Sequence, residues 1–289
     1  MTLFRPHLLA AASGLFFTFG LCEQARAHGS LHEQIVAITA SLETKPGDAD
    51  LLLLRAGLRR EHEDWDAAAQ DIIAAEKAGA AAGRLALARS EIAVARKDWD
   101  TAARELPTLA RELPENADAW RLAGFVHAAR GKNSEAIAAW LAVIRRAETP
   151  RPDDFLSLAR AHHAAHDDDA AIAALETGSR RIGEISVFLE EAAQIEESRQ
   201  HWDAALARLD RLLVQSPKSP RWLARKGDLA ERAAQPELAT ACRHAALNAI
   251  DAVRARRFTP AMAELEQSLR AQLAKSAEEQ TPAKPSLEK

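Results

Sequence analysis

The sequence predicts an all-α chain of stacked antiparallel helix pairs. Trp65, Trp99 and Trp202 stand in matching contexts: Asp64-Trp65-Asp66-Ala67-Ala68, Asp98-Trp99-Asp100-Thr101-Ala102 and His201-Trp202-Asp203-Ala204-Ala205. The first two tryptophans are 34 residues apart, and Trp202 lies 137 residues beyond Trp65, four periods of 34 plus one residue. A period in this range means small supersecondary units stacked on one another, each sharing its core with its neighbours. No stretch alternates apolar and polar residues as a half-buried strand would.

Carrying the phase from the tryptophans gives six equivalent positions, Ala68, Ala102, Ala136, Ala171, Ala205 and Ala239, all alanine. Twelve residues before each lie Ala56, Ser90, Gly124, Ala159, Ala193 and Gly227, all small. Four residues after each lie Ile72, Leu106, Trp140, Leu175, Leu209 and Arg243, large and apolar in five of six. Small residues on facing turns let two antiparallel helices approach closely, and the bulky residue fills the space beside them. Pro114 and Pro217 follow second helices, where proline stops a helix. Asn116 precedes an apolar run as an N-cap, and Thr259-Pro260 joins an N-cap to proline at the first helical position. Pro107 falls inside a second helix, where a kink or a late start is expected.

The flanking segments take their places around this array. Arg5 and His7, the largely apolar stretch Leu8 to Leu21, and Ala25-Arg26-Ala27 read as a signal peptide over 1–27, cleaved after Ala27. The stretch is short for a membrane helix, so no integral membrane segment is expected after cleavage. The mature chain is expected to be exported, to a periplasm or beyond. Cys242 then remains as the single thiol, read as a small buried hydrophobe. Residues 28–47 read as an N-terminal capping helix over 31–43 and a loop, 48–258 as six repeats, 259–275 as a C-terminal capping helix, and 276–289 as a disordered tail.

At this point the chain resembles the tetratricopeptide repeat family, over about residues 48 to 250. The third repeat carries the clearest match, with Trp120, Ala123-Gly124, Gly131, Ala136 and Trp140 at the large, small and aromatic positions. The resemblance implies a right-handed solenoid of about six repeats with a capping helix at each end. It also implies a protein or peptide partner held in a concave groove made by the first helices. Groove positions are then Arg60, Arg84, Glu91, Arg121, Phe125, Arg160, His163, Glu190 and Gln194. Glu61, Asp118, Asp153, Glu197, Asp228 and Glu231 fall on the same face. The family's glycine between paired helices survives as Gly131 and is replaced by Glu63, Lys97, His166, Gln200 and Ala234. The sixth repeat, with Arg243 at a bulky apolar position, departs furthest, as suits a terminal repeat.

Composition and motifs narrow the chemistry. The formal net charge is −4, and no basic run with interleaved aromatics suggests nucleic acid. There is no glycine-rich phosphate loop, nucleophile elbow, His-Glu-x-x-His pair or Cys-x-x-Cys, so neither a catalytic residue nor a cofactor is assigned. The function expected is a non-enzymatic protein-interaction scaffold. The alternative is a copper- or zinc-binding protein. Its ligands are either His28 and His32 at the mature N-terminus, or His162 and His166, four apart on one face of a predicted helix.

Overall fold

The computed structural model describes residues 16–255 and 257–279, with side chains from residue 30 to 278. The expected signal residues 1–15 and tail residues 280–289 lie outside the described residues, as does the side chain of His28. Fourteen helices and no strand occur among the described residues. They fall into two compact units, Met1–Ala147 and Glu148–Lys289.

In the first unit, α1 (Phe16–Thr44) packs on α2 (Ala49–Glu61), and three pairs follow: α2 with α3 (Trp65–Lys77), α4 (Ala82–Ala95) with α5 (Trp99–Glu112), and α6 (Ala117–Ala129) with α7 (Asn133–Arg146). The second unit repeats the arrangement with α8 (Pro152–Ala164) and α9 (Asp168–Ile182), α10 (Ser186–Ser198) and α11 (Trp202–Gln215), and α12 (Pro220–Arg232) and α13 (Pro236–Val253). It ends with α14 (Pro260–Glu279) packed on α13. The helix expected over 31–43 is part of the longer α1, and the last helix continues to Glu279 rather than stopping at 275.

The residues that mark the period make the pair interfaces. The six phased alanines are at most 1% exposed, and Ala56, Ser90, Ala159 and Ala193 are equally enclosed. At Gly124 the fit is tight enough that a Cβ would sit 2.5 Å from Cε2 of Trp140. Trp65, Trp99 and Trp202 are each the first residue of a second helix, and Trp65 and Trp202 pack at the edges of buried clusters. Asp64 and Asp98 cap the helices that follow them by accepting from the amides of Ala67 and Thr101. Pro107 is accommodated without a late start, since α5 begins at Trp99 and runs on to Glu112.

Each pair is closed by a three-residue turn of one geometry. The residue after the C-cap adopts positive φ in all six: Glu63 (62°), Lys97 (58°), Gly131 (69°), His166 (60°), Gln200 (59°) and Ala234 (57°). The next amide then donates five residues back, as in Asp64 to Arg59 (2.8 Å), Lys132 to His127 (2.9 Å) and Gln235 to Ala230 (2.8 Å). This is the Schellman closure, which satisfies carbonyls that the helix end would otherwise strand. Five of the six turns therefore hold a non-glycine residue in a conformation that favours glycine.

Two polar groups lie where the pattern called for none. Asp71 is 3% exposed. Its carboxylate accepts from Arg55 (2.7 and 3.0 Å) and Arg59 (2.8 Å), and Arg55 also donates to Thr39, so α1, α2 and α3 are tied together. Arg243 is 1% exposed. Its aliphatic stem fills the bulky position beside Gly227, and its head reaches the carboxylates of Glu231 and Asp228. The sixth repeat thus keeps the volume of its neighbours and brings a charge with it.

Candidate functional site

In the first unit, α2, α4 and α6 lie side by side. Charged side chains pair on this face: Arg84 with Asp50, Arg60 with Glu91 (3.6 Å) and with Glu61 (3.6 Å), and Arg121 with Asp118 (2.7 Å). Burial pushes the Glu91 carboxyl above the usual glutamate range. Arg60 opposes that shift, and Asp118 and Glu61 reinforce it. Arg60 Nε is enclosed and makes no hydrogen bond.

Two apolar side chains stand out among these pairs, Leu54 (51% exposed) and Phe125 (46% exposed). The Phe125 ring stands edge-on against buried Trp140, with centroids 4.9 Å apart and planes at 88°. That contact holds the ring in one orientation while half of it remains open. Half-buried Leu53 and Leu87 continue the apolar surface on α2 and α4.

In the second unit the same face of α8, α10 and α12 is a ladder of ion pairs. Arg160 makes a two-pronged contact with Glu191 (2.9 and 2.7 Å). Glu190 meets Arg221 (3.0 Å), and Glu197 sits between Arg225 (2.9 Å) and Arg232 (3.1 Å). Asp228 also accepts from Gln272 of α14 (3.1 Å). His163 hydrogen-bonds Asp168 (2.6 Å), while Gln194 is exposed.

Arg84, Arg121 and Arg160 are three of the positions expected to face a groove. Each spends its charge on a carboxylate of its own or a neighbouring helix. The partners Asp50, Glu191, Arg221, Arg225 and Arg232 were not selected from sequence, nor was Leu54. Their signal was present as spacing: Asp50 and Arg84 are 34 apart, and Arg160 and Glu191 are 31 apart.

The histidine cluster does not take the expected form. Helix α8 ends at Ala164, so His166 is in the left-handed turn and not four residues along the same helical face as His162. The nearest carboxylate oxygen paired with His162 is that of Asp167, at 3.6 Å, and His32 is exposed on α1. Among the described residues, no three His, Cys, Asp or Glu side chains are grouped to hold a metal ion. Cys242 is buried, and burial pushes its thiol upward, away from reactivity.

Helix pairs closed by one turn, with small residues at each crossing, have many counterparts among solved structures. The C-terminal part of a TPR repeat-containing protein from Cytophaga hutchinsonii aligns with a TM-score of 0.63 at 15% identity, over 86% of this chain and 98% of that one. The chain has the tetratricopeptide-repeat fold. PilW, a type IV pilus biogenesis factor, aligns at 0.55 and 15% identity over 76% of this chain and 98% of its own. Pseudomonas aeruginosa pilF aligns at 0.53 and 14% over 78% and 97%. No protein-family model and no curated protein matches the sequence. No helix among the described residues is long and apolar enough to cross a membrane.

Proposed function

We propose that the chain is an exported, non-enzymatic scaffold that holds a segment of a partner protein on the groove face of α2, α4 and α6. The tetratricopeptide-repeat fold is that of protein-interaction scaffolds, which bind partners in such grooves. The observation that carries the reading is Phe125, half exposed yet locked against Trp140, with Leu54 on the same face. The charges around them are already paired, so they fix the surface and contribute little net attraction. Apolar contact supplies the affinity instead, since covering an exposed phenylalanine side chain is worth about 1.5–3 kcal/mol. The partner segment therefore presents one or two large apolar side chains toward the groove.

Crosslinking in the native host tests the groove. A photoreactive residue at position 125 should capture a defined partner that Leu54→Glu abolishes, while the same group at position 73, on α3, does not capture it. Capture of the same species from both positions would reject the groove. Export is supported by the basic, apolar and Ala-x-Ala order of residues 5–27. N-terminal sequencing of the protein from the envelope fraction should begin at His28; a chain beginning at Met1 and retained in the cytoplasm would reject export.

A further inference from the structure

The second unit carries a cleft away from the groove. It lies between the second helices α9 and α11, with α10 as its base, and holds about 360 Å³. That is at the lower end of the range for small-ligand pockets, roughly 300–1,000 Å³. Its floor is Leu175, Phe188, Leu189 and Ala192, all buried and all apolar. Phe188 is held in place from behind: its ring meets Phe155 at 6.1 Å and 77°, and the absence of a side chain at Gly178 leaves room for both rings.

The rim carries opposite chemistry. Three guanidinium groups, Arg180, Arg208 and Arg211, face two carboxylates, Glu176 and Glu184. Arg208 pairs with Glu176 (2.9 Å) and Arg211 with Glu184. Arg180 donates to the Thr177 hydroxyl (2.9 Å) and has no carboxylate partner among the described residues. Glu184 follows Gly183, which ends α9 at φ 95° and ψ 157°, a region open almost only to glycine. A Cβ there would meet nothing within 4 Å, so the backbone conformation alone calls for glycine. The rim is thus built to leave one cation over an apolar floor.

We propose that this cleft binds the carboxylate end of an amphiphilic chain, with its apolar body on Phe188 and Leu189 and its carboxylate on Arg180. A guanidinium and a carboxylate form charge-assisted hydrogen bonds, and the other two rim guanidiniums already have carboxylates of their own. The same chemistry is offered by a free fatty acid and by the C-terminus of a polypeptide ending in an apolar residue.

Isothermal titration of the full chain distinguishes these sources. The ligands are octanoate, octanol, and acetyl-Ala-Ala-Leu ending in either a free carboxylate or a carboxamide. At least one carboxylate ligand should bind saturably, one per chain, and its neutral counterpart about tenfold more weakly. Arg180→Gln should lose a similar factor; Arg180 is exposed, and an unchanged thermal melt will verify that the variant folds. Tighter binding of the peptide assigns the cleft to polypeptide C-termini, and tighter binding of octanoate assigns it to fatty acids. For the carboxylate that binds, equal affinity of its neutral counterpart or unchanged affinity in Arg180→Gln would overturn the proposal, as would no saturation by either carboxylate at millimolar concentration.

Discussion

Replacing Ala234 by glycine removes one exposed methyl group, yet it should stabilise the protein. Ala234 sits at φ 57° in the turn between α12 and α13. An L-residue held in the left-handed region gives up about 1–2 kcal/mol that glycine does not. Glycine returns part of that gain, about 0.4–1 kcal/mol, because its unfolded chain has more freedom to lose. The net expectation for Ala234→Gly is a gain of about 0.5–1 kcal/mol. Gly131 supplies the mirror experiment. It holds the same turn position at φ 69°, and a Cβ there would meet nothing within 4 Å. Gly131→Ala should therefore lose about the same amount through backbone conformation alone. The assay is urea unfolding followed by far-ultraviolet circular dichroism, with midpoints compared at constant slope. Repeat arrays can unfold in parts, so each variant is also read through amide exchange in its own helix pair. A lower midpoint for Ala234→Gly, or no loss for Gly131→Ala, would refute the argument that these turns are held in strained backbone.

Three further outcomes follow from buried and half-buried groups. Gly124→Ala places a Cβ 2.5 Å from the Trp140 ring, so it should cost about 1–3 kcal/mol by overpacking and alter the tryptophan fluorescence that reports Phe125. Arg243→Met keeps the buried stem and frees two carboxylates, Asp228 and Glu231, that are already more than half exposed. It should stay within about 1.5 kcal/mol of the parent, whereas Arg243→Ala should lose about 2–4 kcal/mol in the same melts. Glu91 is a carboxyl raised by burial. The folded state therefore holds its proton more readily than the unfolded state, and this group's contribution to stability falls as pH rises from the ordinary value of 4.5 through the higher folded value. Stability measured across that window should fall with pH more steeply in the parent than in Glu91→Gln, and equal slopes would contradict the burial of this carboxyl.

The repeat register was legible because it is a local property. One helix pair and its turn form a short segment, and the phased alanines, the small residues twelve before them and the bulky residues four after them meet within that segment. All six alanines proved to be closed off from solvent. The turn was harder to read. Glu63, Lys97, His166, Gln200 and Ala234 looked like departures from the glycine at Gly131, yet the backbone is the same in all six. The two helices and the Schellman hydrogen bonds impose that conformation whatever residue occupies it. Arg243 misled for a related reason: its class is polar, but its stem has the volume the slot requires.

Helix pairing and its period were thus determined by the sequence itself, since spacing along one helix sets which residues share a face. Which side chains of the first helices remain available was decided only by tertiary structure. Arg84 meets Asp50 and Arg160 meets Glu191 across neighbouring first helices, 34 and 31 residues away. Such pairs depend on how two helices are set against each other and on the rotamers of long side chains, neither of which spacing specifies. The same packing that neutralised the arginines left Phe125 half open against Trp140, and left Arg180 beside its cleft with no carboxylate partner among the described residues.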